Sequence, residues 1–376
     1  MVISILACIF VFGILIFIHE FGHFISAKKN GVRVEKFSFG FGPKLFGKKI
    51  GETEYLICAV PLGGYIKMAG DEPGSKRKGA PWEYFSKSCG QRAQIIAAGP
   101  LLNYLLAFLL FSFIFIVGSP TVTTRVGKLL DGYPAKDAGI KEGDVILAVD
   151  AEEVKYWQDM SQAIHQKTEV PEISLDIKRN GELLKINLRP RVEEAKDIFG
   201  QKTKIALIGI YPSDEQTKIK YGWGRSFYEG GKKLFSLSGL TYKALWFIVI
   251  RRLSLRDSVT GPIGIFYFTG KAASLGFVYL LNLMGLLSMS LAIFNFLPLP
   301  VLDGGHLFFL LLEKLRRKQA SVRTQEIAAQ VGTMFLIALM IFVFYSDMMK
   351  FGVFEKVGDW WRKVVPRQCL EEGQRQ

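Results

Sequence analysis

Cysteine and histidine are both scarce, with four of each in 376 residues. Cys8, Cys58, Cys89 and Cys369 fit neither a zinc ribbon nor a disulfide framework by their spacing. The long stretch between Cys89 and Cys369 has none, so it says nothing of a redox compartment. Acidic residues are outnumbered, 34 against 48 Lys and Arg, for a formal net charge of +14. The surplus gathers in loops beside apolar runs, so anionic lipid is the partner it fits and nucleic acid is not expected. The first apolar run lacks a basic n-region, and no convincing small-residue cleavage site follows it. It is therefore read as a retained span and not a signal peptide. Apolar residues, by contrast, are abundant: 49 % of the chain, with 30 Phe. That composition suits a polytopic membrane protein with a soluble insert.

One stretch within the first apolar run is polar in a patterned way. In Ile14–Ile25 the order His19-Glu20-Phe21-Gly22-His23 sets two imidazoles four residues apart, on one face of a helix. Neutral imidazoles at that spacing can hold one zinc ion, and a carboxylate beside the first can take a proton from a water the metal activates. Ionisable groups left unpaired in lipid cost several kcal/mol each, which argues against polar residues merely facing a helix bundle. A soluble zinc protease sets the same motif on an amphipathic helix, whereas this segment is apolar on nearly all sides.

The pattern resembles the site-2 protease family of intramembrane zinc metalloproteases, in its bacterial RseP/RasP-like branch. A second motif makes the resemblance specific. Asn295-Phe296-Leu297-Pro298-Leu299-Pro300-Val301-Leu302-Asp303-Gly304-Gly305 matches the family's Asn-x-x-Pro-x-x-x-Leu-Asp-Gly-Gly pattern. The resemblance implies that Asp303 is the third zinc ligand, that Glu20 is the catalytic base, and that Asn295 and the Pro298 segment contact the substrate backbone. The two prolines must also unwind the helix, which lipid tolerates only where the backbone lines a cavity or meets a partner. His306 is read as a supporting or interfacial residue, because a fourth protein ligand would leave no place for water. Gly99-Pro100-Leu101-Leu102-Asn103 is similar to the family's Gly-Pro-x-x-Asn. From the residues themselves, Pro100 is a helix kink and Asn103 a helix–helix hydrogen bond.

The expected organisation alternates spans and loops. Residues 1–27 form the first transmembrane helix. Residues 28–92 form a cytoplasmic loop, with 13 Lys and Arg against 6 Asp and Glu from Lys28 to Arg92. Within it Val34–Gly70 reads as strands and turns punctuated at Gly40-Phe41-Gly42-Pro43 and Pro61-Leu62-Gly63-Gly64. The resemblance makes this a membrane-dipping β-hairpin on the cytoplasmic side; Gly74–Gly79 reads from its own residues as a polar, basic connector. Residues 93–118 are the second helix. Residues 119–214 are an extracytoplasmic α+β insert in which Gly132–Ile146 resembles a PDZ-domain signature. In it Val145–Val149 is a strand, Trp157–Gln166 an amphipathic helix bearing a surface His165, and Asn180-Gly181 a hairpin turn. Leu207–Ile210 reads either as a carboxylate-binding loop or as a strand ending at a glycine. There is room for one PDZ domain, where well-known members of the branch carry two.

Residues 215–275 are an interfacial amphipathic helix and loop, since the apolar run around Trp246–Ile250 is too short to span and is ringed by Lys and Arg. Residues 276–312 are the third transmembrane helix with the Asp303 motif. Residues 313–326 are a second cytoplasmic loop, with 5 basic residues and no acid between Lys314 and Arg323. Residues 327–346 are the fourth helix, and 347–376 an extracytoplasmic tail containing Trp360-Trp361. Four spans starting outside bring His19, His23 and Asp303 to one depth. Were Leu234–Ile250 a span, Asp303 would fall on the other side of the bilayer.

The expectation is thus a multi-pass α-helical membrane protein, a zinc-dependent intramembrane endopeptidase of a bacterial inner membrane. By resemblance its substrates are transmembrane segments of single-span proteins, such as anti-sigma factors or remnant signal peptides. Membrane lipid is a further partner, and a peptide or protein at the PDZ domain another. The competing class is a non-proteolytic metal transporter or PDZ scaffold. A transporter would need polar groups across several spans, which the second and fourth do not supply, and a scaffold has no use for Glu20.

Overall fold

The computed structural model describes residues 1–71, 79–197, 199–319 and 321–352. The connector at 74–78 and the Trp360-Trp361 tail lie outside the described residues. By its internal contacts the chain divides into two compact units. One comprises Met1–Ser112, Gly230–Lys243 and Ser254–Gln376, the other Phe113–Glu229 and Ala244–Leu253.

The first unit begins with helix α1, Val2–Lys29, apolar on nearly every side. Lys28 and Lys29 close it, where cations complement the free carbonyls of the last turn. Strands β1 (Val34–Ile50) and β2 (Thr53–Met68) follow. Besides the tight turn at Gly51-Glu52, both strands double back at the two Gly-Pro clusters, as the sequence suggested: residues 36–39 run parallel to 54–57, and 54–57 run antiparallel to 46–49. Gly40 and Gly42 adopt φ of 93° and 85°, the left-handed backbone that lets β1 double back there. As a result Phe37 pairs with both Ile66 and Tyr55, and Phe39 with both Gly64 and Ile57. Residues 64–68 therefore form an outer flank, matched only to β1 among the described residues.

Helix α2, Cys89–Val117, runs through Pro100 without ending. Its Ile95 is buried in a small core with Ala27, Val32, Val34 and Tyr84, which seats the hairpin at the end of α1.

The second unit is an α+β insert. It holds β3 (Ser119–Val122), β4 (Val126–Leu129), α3 (Pro134–Asp137), β5 (Val145–Val149), β6 (Glu152–Glu153) and α4 (Trp157–His165). It continues with β7 (Ile173–Arg179), β8 (Glu182–Leu188), β9 (Arg191–Lys196), β10 (Lys202–Leu207), β11 (Ile210–Pro212) and β12 (Gln216–Ile219). A sheet of order β6-β5-β7-β8 is joined at its hairpin by Asn180 and Gly181, both at positive φ, as a two-residue turn requires. Period-two burial on β7 (Ile173, Leu175, Ile177) meets Met160 and Ile164 of α4. The entry strand β3 pairs with the exit strand β12, Ser119 opposite Ile219.

Helix α5, Trp223–Val249, is a single amphipathic helix longer than its apolar run. After α6 (Leu255–Ser258) and α7 (Pro262–Leu275) comes α8, Phe277–Asn295. The Pro298-Pro300 segment then breaks the chain before α9, Asp303–Arg316, so the expected 276–312 element is two helices. The last helix, α10, is Val322–Lys350. Its buried Asp347 accepts from the backbone N–H groups of Gly261 and Gly264 and so caps α7. Among the described residues four helices are long and apolar enough to cross a membrane: α1, α2, α8 and α10. That is the make-up of a multi-pass membrane protein, and α5 is not among them.

Candidate metal centre

Three side chains from two distant stretches converge in the first unit. His19 Nε2 lies 3.2 Å from Asp303 Oδ2, and His23 Nε2 lies 3.5 Å from the same oxygen. The two Nε2 atoms are 3.3 Å apart. Asp303 Oδ2 is buried and accepts no hydrogen bond, although two ring nitrogens face it. Lone pairs gathered on a buried point without protons to share are the arrangement a cation satisfies. Two imidazoles and one carboxylate are a zinc donor set, with a fourth position left for water.

Local structure explains the convergence. The i, i+4 spacing stacks His19 and His23 on one face of α1. That face meets a stripe on α2 made of Ile95, Gly99 and Asn103, likewise four apart. The helices approach closely because Gly22 sits against Ala98: a methyl group there would come within 2.3 Å of the Ala98 carbonyl oxygen. His23 Nδ1 is 2.9 Å from the Ile95 carbonyl, to which it donates, leaving Nε2 free to ligate. Asn103 Nδ2 is 3.3 Å from His19 Nδ1. Asp303 comes from the start of α9, where Gly304 and Gly305 let the Phe296–Pro300 loop fold across the helix end. At its far end α9 is tied to α2 by Arg92, which holds Glu313 with both guanidinium NH2 groups.

Glu20, His19, His23 and Asp303 line one cavity of about 610 Å³. Gly64, Tyr65 and Ile66 of β2 form part of its wall. At Gly64 the strand runs close beside Glu20, as a methyl group there would lie 3.2 Å from its Cγ. His306 also lines the cavity, but it is not one of the clustered ligands. Asn295 ends α8 half-buried and Pro298 is exposed in the loop; neither is part of the cavity wall.

Sequence reasoning undervalued three residues. Gly64 reads as a turn residue yet is part of a strand. Gly99 drew no reading of its own beside Pro100, yet it makes room for His23. Asn103 reads as a helix–helix contact, yet it faces a ligand. The signal for Gly99 and Asn103 was the four-residue spacing along α2, which gains meaning only once α1 is laid against it.

The model of peptidase family M50 matches residues 7–339. A Clostridium acetobutylicum protein with the provisional name of zinc metalloprotease is 36 % identical over 350 residues, covering 92 % of this chain and 97 % of its own. The chain belongs to peptidase family M50. A second relative of this M50 peptidase, the zinc metalloprotease RasP of Geobacillus kaustophilus, is 30 % identical over 428 residues, covering 93 % and 98 %. The site-2 protease resemblance drawn from the two motifs is thereby borne out. The PDZ domain of an SdrC-like protein from Listeria monocytogenes aligns with 25 % of the chain and 87 % of its own length, at 23 % identity and a TM-score of 0.19. A score that low carries no argument about the insert.

Proposed function

We propose that this M50 peptidase is an intramembrane zinc endopeptidase that cleaves transmembrane segments of single-span proteins. The observation that carries it is the meeting of His19, His23 and Asp303 beside Glu20, on a helix of membrane-spanning composition. Zinc held by those three side chains would lower the pKa of water to roughly 7 and polarise a carbonyl. Glu20 is placed to accept the proton of the attacking water and hand it to the leaving amine. The hairpin supplies substrate binding. A helical substrate must be unwound to expose its amide, and the 64–68 flank offers strand pairing next to Glu20. Asn295 and Pro298 would contact the substrate backbone from outside the cavity wall, a role that rests on the family motif.

The remaining placements follow from charge. The Lys- and Arg-rich segments 28–92 and 313–326 lie in the cytoplasm, the insert lies outside it, and the chain sits in a bacterial inner membrane. The insert is a PDZ domain that excludes substrates whose outer part has not been trimmed, or that binds an exposed peptide. Anti-sigma factors and remnant signal peptides are the substrate classes the resemblance favours.

Metal analysis and hydrolysis of a transmembrane peptide test the assignment together. Asp303→Ala should lose both zinc and activity, because two histidines under-coordinate the ion. Glu20→Gln should keep zinc and lose hydrolysis by a hundredfold or more, on the order of general-base effects. Full zinc occupancy without Asp303, or full activity without Glu20, refutes the reading.

A further inference from the structure

The two histidines are held from behind in different ways. His23 Nδ1 donates to the Ile95 carbonyl, an acceptor that cannot change its role. His19 Nδ1 faces a side-chain amide, and an amide can present either a donor or an acceptor. Asn103 is wholly buried, its Nδ2 lies 3.3 Å from His19 Nδ1, and its Oδ1 is buried without a hydrogen-bond partner. A donor facing Nδ1 claims that lone pair and puts the ring proton on Nε2, the atom that points at Asp303. A half-turn of the carboxamide exchanges its two atoms within nearly the same volume. Oδ1 then accepts from Nδ1–H, and Nε2 is left with a free lone pair.

We propose that Asn103 is a positioning residue for His19: its side-chain oxygen fixes the Nδ1–H tautomer and so commits Nε2 to the metal. The backbone makes this seat rigid. Ser288 Oγ donates to the Asn103 carbonyl at 2.7 Å, tying α8 to α2 at the same crossing. The four-residue steps from Ile95 to Gly99 to Asn103 then match one Nδ1 partner to each histidine. The inference rests on the zinc reading above.

Zinc affinity of the purified full chain, measured by chelator competition, is the readout, together with the visible spectrum of the cobalt-loaded protein. Asn103→Leu fills the space without an acceptor and should weaken zinc roughly ten- to a hundredfold, the usual cost of losing a hydrogen bond behind a metal-bound histidine. Asn103→Asp keeps an acceptor and loses the donor, so it should stay within several-fold of the parent with an unchanged cobalt spectrum. If the Asp variant loses as much affinity as the Leu variant, or the Leu variant loses none, the positioning role is overturned. A parent chain that binds no zinc overturns the metal reading beneath it instead. Should the Leu variant fail to fold, nitrogen-15 histidine spectra of the zinc-loaded parent decide, since only four histidines contribute. A protonated Nδ1 on His19 upholds the proposal, and a deprotonated one overturns it.

Discussion

A methyl group added at Gly99 would stand 2.3 Å from His23 Nε2, the nitrogen that faces Asp303. At the scale of single residues, the centre depends on what is missing from side chains as much as on what they carry. Gly99→Ala should therefore empty the metal site while leaving α2 apolar enough to insert. Overpacking of a closed site costs roughly 1–3 kcal/mol, and here the strain falls on a ligand that cannot move without losing its bond to Ile95. Metal content of the purified variant is the check, and near-full zinc would show that the helices can part. Gly22, seated on the Ala98 carbonyl, should behave alike.

Among the elements, the insert's sheet shows how one ion pair with a buried carboxylate anchors a unit with no cysteine to staple it. Asp144 is buried, accepts from the Lys141 backbone, and meets Arg179 through both guanidinium-to-carboxylate contacts, at 2.8 and 2.7 Å. Burial alone would raise its pKa, but the Arg179 guanidinium and the Lys141 N–H outweigh that and hold it below the usual carboxylate value. A depressed folded pKa stabilises above the unfolded value of about 3.9 and is lost as pH falls through the folded one. The insert should thus keep this contribution at neutral pH and shed it in acid below about pH 4. Asp144→Asn should lower its melting temperature by several degrees at pH 7 and narrow the difference from the parent in acid. Melting followed through the six Trp measures it, and an equal shift at both pH values would show that packing, not charge, is responsible.

For the whole molecule, the pairing of β3 with β12 brings the insert's two ends together, Val122 opposite Gln216. Residues 123–215 can therefore be replaced by a short flexible linker without stretching the chain. If the insert excludes untrimmed substrates, the excised protein should cleave a trimmed substrate at close to the parent rate and an untrimmed one faster than the parent. Loss of trimmed-substrate cleavage in a folded, zinc-loaded variant would mean that the insert recruits substrate. Orientation is a separate matter. A single cysteine at Asn180 should react with an impermeant reagent on intact cells, and one at Lys318 should not; the reverse pattern would invert the proposed topology.

The sequence by itself determined the spans, the insert and the three side chains proposed to hold the metal. Those follow from hydropathy over twenty residues, a two-residue turn at Asn180-Gly181, and two motifs whose side chains lie near each other in sequence or match a family pattern. It also placed α5 outside the spanning set, because Lys and Arg interrupt its apolar run. Only tertiary structure decided what stands around the ligands. Ile95, Gly99 and Asn103 look like ordinary helix residues until α1 crosses them, because a contact between two helices is not encoded in either helix's own periodicity. The hairpin is similar. Glycine and proline mark the changes of backbone direction, but only pairing across the sheet decides which stretches become neighbours. There, doubling back at Gly40 and Gly42, both at positive φ, set residues 36–39 between 54–57 and 64–67 and left residues 64–68 as a flank beside Glu20.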